Sequence, residues 1–335
     1  MQISRLKDTR LILLLLGWMS MMVGCHHEIP NLSLPVERCA DMPICLTAAA
    51  CFSYDGKGYV FGGRKTNGAH NNLLYCYDPD SDQWSTISTP LASRVRPRAV
   101  VVGKHVYLGL GMSGTLHIES SYLRDWWRWT PDSNQWVRLS DYTSSRTVGP
   151  VLTTDGEYIY SAYGGRWNFE RHIFRYDIKS DTWIQLADGV ERMASYPPRA
   201  HSVAGAMCNG RMFLGTGHFR TSEDFWVEVE IEQDSIIWKP CEPCPTRRHN
   251  AVGISDNQYI YIGGGRQSGG TVTTGQMYDD VWCYSPVEDT WKKVCQLPDG
   301  ARENMIAWII DSVLYIGLGS DKNNIPCQQL YRIKL

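Results

Sequence analysis

The sequence predicts an all-β protein: six similar units, each a small four-stranded antiparallel sheet, arranged in a ring. Three observations carry this expectation. The 335 residues include 13 Trp, 18 Tyr and 30 Gly but only 7 Phe, a bias toward short aromatic strands joined by glycine turns. A glycine pair or near-pair recurs after a short apolar strand at centres about 48 to 54 residues apart: Gly62-Gly63, Gly109-Leu110-Gly111, Gly164-Gly165, Gly215-Thr216-Gly217, Gly263-Gly264-Gly265 and Gly317-Leu318-Gly319. Downstream of these pairs comes an aromatic strand, a polar turn and a Trp, as in Tyr75-Cys76-Tyr77-Asp78-Pro79 to Trp84.

The N-terminus reads differently. Arg5, Lys7 and Arg10 precede an apolar run from Leu11 to Gly24. Fourteen residues are too few to span a bilayer as a helix, so the run reads as a secretory signal. It ends in Met22-Val23-Gly24-Cys25, which resembles a bacterial lipobox with Met22 where Leu is usual. The resemblance implies cleavage before Cys25 and its lipidation; ordinary signal cleavage is the alternative. Residues 1–24 are then the signal, 25–31 a tether and 32–335 one domain. Cleavage would leave 30 basic and 34 acidic side chains, a net charge of -4. His26-His27-Glu28 is no acidic cluster, so a lipid anchor in the bacterial cell envelope, facing the periplasm from the outer membrane, is expected before display on the cell surface.

Within the domain, a turn signal sits seven to nine residues before each glycine pair, and several are Asp-Gly or Asn-Gly: Asp55-Gly56, Asp155-Gly156, Asn209-Gly210. Such dipeptides close tight hairpins. They divide each unit into strands a and b, an aromatic c, and d beginning near the Trp. One such sheet cannot bury both faces alone, whereas a ring of them can. The paired glycines with spaced Tyr and Trp resemble the kelch repeat over essentially residues 30 to 335. The resemblance implies a six-bladed β-propeller. Its last unit stops after strand c at Leu335, so Leu32 to Pro35 should supply the missing d strand and close the ring. The units also alternate. Gly-Gly-Arg occurs in units one, three and five (Arg64, Arg166, Arg266), whereas Met112, His218 and Ser320 follow the glycines in the others.

Several signals are set aside. Lys+Arg total 33 against 35 Asp+Glu, which does not suggest a nucleic-acid binder. Gly109 to Gly114 fits GxGxxG, but no helix pattern follows and the glycines belong to the repeat. Trp126-Trp127-Arg128-Trp129 lies on strand c, where packing between blades accounts for it. Cys241-x-x-Cys244 has no second CxxC or paired His, so a disulfide or free thiols are expected there and not a metal. Some kelch-type enzymes are copper radical oxidases resembling galactose oxidase, but the Tyr-His ligand pair they need does not occur. No cofactor is expected.

Strands a and b are antiparallel, so the start of a and the end of b share one face of the disc. The loops at those ends should crowd one mouth of the central channel. They carry Arg64, Arg166 and Arg266 after strand b, and Arg98, Arg146, Arg199, Arg248 and Arg302 ahead of strand a. His201, His249 and Glu303 lie beside them as candidate acid and base groups, and Trp167, Phe169 and Phe219 as stacking residues. So many guanidiniums need either neighbouring acids or an anionic ligand. Val106-Tyr107-Leu108-Gly109-Leu110-Gly111 resembles the sialate mutarotases (N-acetylneuraminate epimerases). That resemblance implies an acidic sugar as ligand, an Arg for its carboxylate, and an acid and a base at the anomeric centre. The other class is a non-enzymatic module holding a glycan or an acidic peptide at the same mouth.

Overall fold

The structure, a computed structural model, describes residues 33–114, 118–144, 147–164, 171–188, 197–270 and 274–335. It is a six-bladed β-propeller of four-stranded antiparallel blades. In blade 1 strands a to d are Ala50–Tyr54, Lys57–Phe61, Leu74–Asp78 and Gln83–Ile87. Strands a and b of the next blades are Arg98–Val102 and His105–Gly109, Val151–Thr154 and Tyr158–Ala162, Ala204–Cys208 and Arg211–Gly215, Val252–Ser255 and Ile260–Gly263, Ile306–Ile310 and Val313–Gly317. The six a strands contact one another in a closed ring around the axis.

The turn chemistry acts as the dipeptides suggest. Asp55 and Gly56 take φ of 48° and 68°, and Asn209 and Gly210 take 49° and 74°. Two consecutive positive φ values match the right-handed twist of the strands they join. Strand c delivers the aromatic side chains into the seams between blades. Trp126 and Trp129 of blade 2 are buried, and they pack edge-on against Trp183 of blade 3 at 5.5 Å and Tyr59 of blade 1 at 5.7 Å. The tryptophan run is thus a packing device. At Gly58 a Cβ would lie 2.1 Å from the ring of Trp308, so only glycine lets blade 6 close against blade 1.

A second device recurs in alternate blades. Tyr77, Tyr176 and Tyr284 on strand c donate to Asp82, Asp181 and Asp289 at 2.7 Å. The same aspartates accept the backbone N–H of Ala40, Ser140 and Glu242 at 2.7, 3.0 and 2.8 Å. Each of these donor residues lies just past the outer strand of the preceding blade. Each clasp therefore ties two blades together, which gives the two-blade period a structural expression.

The ring closes through its N-terminal segment, starting two residues past the end of the expected Leu32 to Pro35 stretch, of which Leu32 lies outside the described residues. Glu37–Arg38 pairs with Leu330–Lys334, in the register Glu37↔Arg332 and Arg38↔Tyr331. Leu34 donates instead to Val294 of blade 5 at 2.9 Å. Pro35 has no N–H for a ladder, whereas Glu37 meets Arg332 at 2.7 Å. The described cysteines, Cys241 and Cys244 among them, are free thiols.

Candidate functional site

Two belts of residues circle the mouth of the channel. The inner belt lies two residues before strand a in every blade and comprises Ala48, Arg96, Gly149, Ser202, Asn250 and Asn304. All six are left-handed, with φ between 54° and 60°. Backbone N–H groups link them around the rim: Arg96 to Ala48 at 2.8 Å, Ala48 to Asn304 at 3.1 Å, Asn304 to Asn250 at 2.9 Å and Asn250 to Ser202 at 3.2 Å. These bonds offset the strain that a left-handed conformation imposes on residues with a Cβ.

The outer belt pairs the residue before each rim position with the residue after the glycine pair of the same blade. The observed bridges are Thr47↔Arg64, Val95↔Met112, His201↔His218, His249↔Arg266 and Glu303↔Ser320. The a-start and b-end loops therefore do meet on one face. Across the seams, His218 meets His249 with ring centroids 5.1 Å apart, Arg266 meets Glu303 at 3.2 Å, and Ser320 meets Thr47 at 3.3 Å. The belt has an apolar arc at Val95 and Met112 and an ionisable arc from His201 through Glu303.

The arginines grouped ahead of strand a occupy three different positions. Arg248 and Arg302 lie two residues before the rim and point inward. Arg248 is fully buried against Asp280 at 2.8 Å and the Gly264 carbonyl at 2.8 Å, with Tyr278's ring 4.4 Å away. Arg302 is buried beside the Tyr331 hydroxyl at 3.2 Å. Their equivalent in blade 2 is Arg94, which grips Asp125 at 2.7 and 2.8 Å. Burial pushes Asp125 up, but the bonds and charge of Arg94 outweigh it and hold the carboxyl below its ordinary value. These three are blade ties. Arg266 also is buried, contrary to its expected place on an open loop, because Glu303 takes its charge. Arg199 lies three residues before the rim. Arg64 reaches Asn324 at 2.9 Å, and Phe219 sits 5.5 Å beneath the Arg220 guanidinium. Cys25, Arg146, Arg166, Trp167 and Phe169 lie outside the described residues.

Arg98 is the first residue of strand a, two past the rim, and lines the channel. With Arg96, Ser202, Asn250 and Asn304 it borders a cavity of about 200 Å³ whose remaining walls are mostly alanine, glycine and valine. Its guanidinium donates to the carbonyls of Pro97 and Gly149 at 3.0 Å and to that of Pro150. No carboxylate pairs with it among the described residues. Burial, and then the charge of Arg96, push Arg98 down to about 10. Arg96 reaches from blade 2 across the mouth to the Asn250 Oδ1 at 3.4 Å, and Asn250 Nδ2 donates to Glu303 at 2.9 Å.

Sequence reasoning missed Arg96, Asn250 and the side chain of His218. The signal was available. Gly149 aligned with Ser202, Asn250 and Asn304 marks one left-handed position per unit, and that position is the rim.

The fold and this mouth define a class: a six-bladed β-propeller carrying the kelch motif. A kelch motif model matches residues 45–91. The chain is 24% identical to mouse Kelch-like protein 35 over 312 residues, 86% of this chain and 49% of that protein. It is 31% identical to the N-acetylneuraminate epimerase of Salmonella typhi over 87 residues, 26% of this chain and 22% of that protein. The chain thus spans about half, or less, of the length of these curated relatives. Among solved structures, the one described as the structure of YjhT superposes with a TM-score of 0.69 at 13% identity, covering 89% of this chain and 97% of that one. At that identity the likeness is one of fold.

Proposed function

We propose that the channel mouth binds a small anionic ligand, an acidic sugar, and that sialate mutarotation is its best-supported reaction. The observation that carries this is Arg98, held in the cavity by carbonyls alone and next to a second guanidinium, Arg96. Arg98, which no carboxylate pairs among the described residues, suits a carboxylate ligand, and Arg binds one bidentately. A cavity of about 200 Å³ suits a compact ligand. The partial similarity to an N-acetylneuraminate epimerase supports the choice of sugar.

Mutarotation needs no cofactor. A base takes the proton of the anomeric hydroxyl while an acid protonates the ring oxygen. The bond from the anomeric carbon to the ring oxygen breaks, and reclosure on the other face gives the other anomer. His201, beside Ser202 on the rim, would serve such proton transfer, with Glu303, two blades on in the same belt, as its partner. One observation favours the non-enzymatic reading instead: both Glu303 carboxylate oxygens already accept internal hydrogen bonds. Adding the protein to freshly dissolved sialic acid and following the anomers by NMR separates the two. Accelerated exchange is expected; saturable binding with no acceleration would leave a glycan- or acidic-peptide-binding module.

The reading includes export and a lipid anchor at Cys25. Cys25→Ser should move the protein from the membrane fraction to a soluble or uncleaved form. Unchanged processing and fractionation would remove the anchor from the account.

A further inference from the structure

Blade 4 and its seam with blade 5 hold three imidazoles in contact. His201 and His218 exchange both backbone hydrogen bonds, at 3.1 and 2.9 Å, which puts their side chains on one face. Their rings lie 5.2 Å apart, and that of His249 lies 5.1 Å from His218. His249 Nδ1 is committed to the Ser222 hydroxyl at 2.9 Å. His218 is only 8% exposed, and its Nε2 has no hydrogen-bond partner among the described residues. A buried polar atom left unpaired in a cluster at the channel mouth points to a ligand that pairs it.

We propose that His218 is a recognition residue of the mouth, whose ring takes up a proton and donates it in a hydrogen bond to the ligand's anionic group. The proposal rests on the reading of the mouth as an anion site. The charges around His218 leave that role open. From its own blade it faces His201, and from blade 5 His249. Behind His249, Arg248 is neutralised by Asp280 and Arg266 by Glu303. On the following turn Arg220 stacks on Phe219, and Glu223, tied by its N–H to Gly217, is pushed up by burial. Among the described residues no carboxylate supports an imidazolium at His218, and burial lowers its proton affinity. A bound carboxylate would supply the missing counter-charge and raise it. Ligand and proton then bind together, so affinity rises as pH falls, by up to tenfold per unit in the coupled range.

The test is a calorimetric titration with N-acetylneuraminate, whose carboxylate stays ionised from pH 5.5 to 8, in two buffers of different ionisation enthalpy. Uptake of up to one proton per ligand is expected, with tighter binding at lower pH. His218→Gln keeps a donor that does not titrate, and should bind with no uptake and a flat pH profile. If that variant folds poorly, the His218 ring proton resonance of the wild type serves, since ligand should shift its titration upward. Binding without proton uptake, or a titration unmoved by ligand, would overturn this proposal and leave the anion site standing. No binding at any pH would overturn both.

Discussion

Arg266 and Glu303 show how one side chain can mislead a sequence reading. The arginine follows a glycine pair at a loop position, yet the side chains of the pair are 4% and 7% exposed. Arg266→Ala would strand Glu303 as a buried carboxylate, and removing one partner of such a pair costs about 3 to 5 kcal/mol. For a domain of this size the melting temperature should fall by roughly 5 °C or more. Arg266→Met combined with Glu303→Gln should recover most of the loss, because no charge is then left alone. A single variant as stable as wild type would mean the pair is solvated. Arg96 behaves differently, since its long bond to Asn250 spans open channel. Arg96→Ala should fold normally and lose most of the preference for an acidic over a neutral sugar. Which arginines would serve binding was not legible in the sequence. Arg98, Arg248 and Arg302 all precede a predicted strand, but a shift of four residues separates channel from interior. Asp125 and Asp280, each at or just ahead of the start of strand c, 31 and 32 residues after Arg94 and Arg248, were the available hint.

Strands and turns were far more legible. The Asp-Gly and Asn-Gly hairpins and the Tyr and Trp of strand c impose local geometry that no distant contact overrides. The closing strand was legible in kind but not in register, because only two residues pair and Pro35 excludes itself. Deleting residues 33–40 should lower stability by several kcal/mol, since it exposes the edge of Leu330–Lys334 and removes the Ala40 N–H that Asp82 accepts in its clasp. An unchanged denaturation midpoint would refute that closure. The clasps themselves can be graded. Tyr176→Phe removes one hydrogen bond and should cost about 1 kcal/mol. Asp181→Ala should cost more, because it also orphans the Ser140 N–H.

At the scale of the whole molecule, the buried aromatics set an alkaline limit. Burial, and in the clasps the bonded aspartate, raise the proton affinity of Tyr77, Tyr176 and Tyr284 above that of a free tyrosine. Burial also raises the Cys51 thiol to about 11 and the Cys283 and Cys295 thiols to about 12. These groups stay protonated in the fold after they ionise in the unfolded chain. Stability is therefore full below about pH 8.5 and falls as pH rises through and beyond 9 to 10. Chemical denaturation at pH 8 and pH 10.5 should show the loss, and equal midpoints would contradict the burial. The same ring that buries these groups brings six loops to one mouth, and there the functional claim is decided. Calorimetry with an acidic sugar and its neutral counterpart, glucuronic acid against glucose and sialic acid against a neutral analogue, measures it directly. A carboxylate held by two guanidiniums should favour the acid by about 30- to 1000-fold, or about 2 to 4 kcal/mol. Equal affinities, or no binding of either, would contradict an anion site at the mouth.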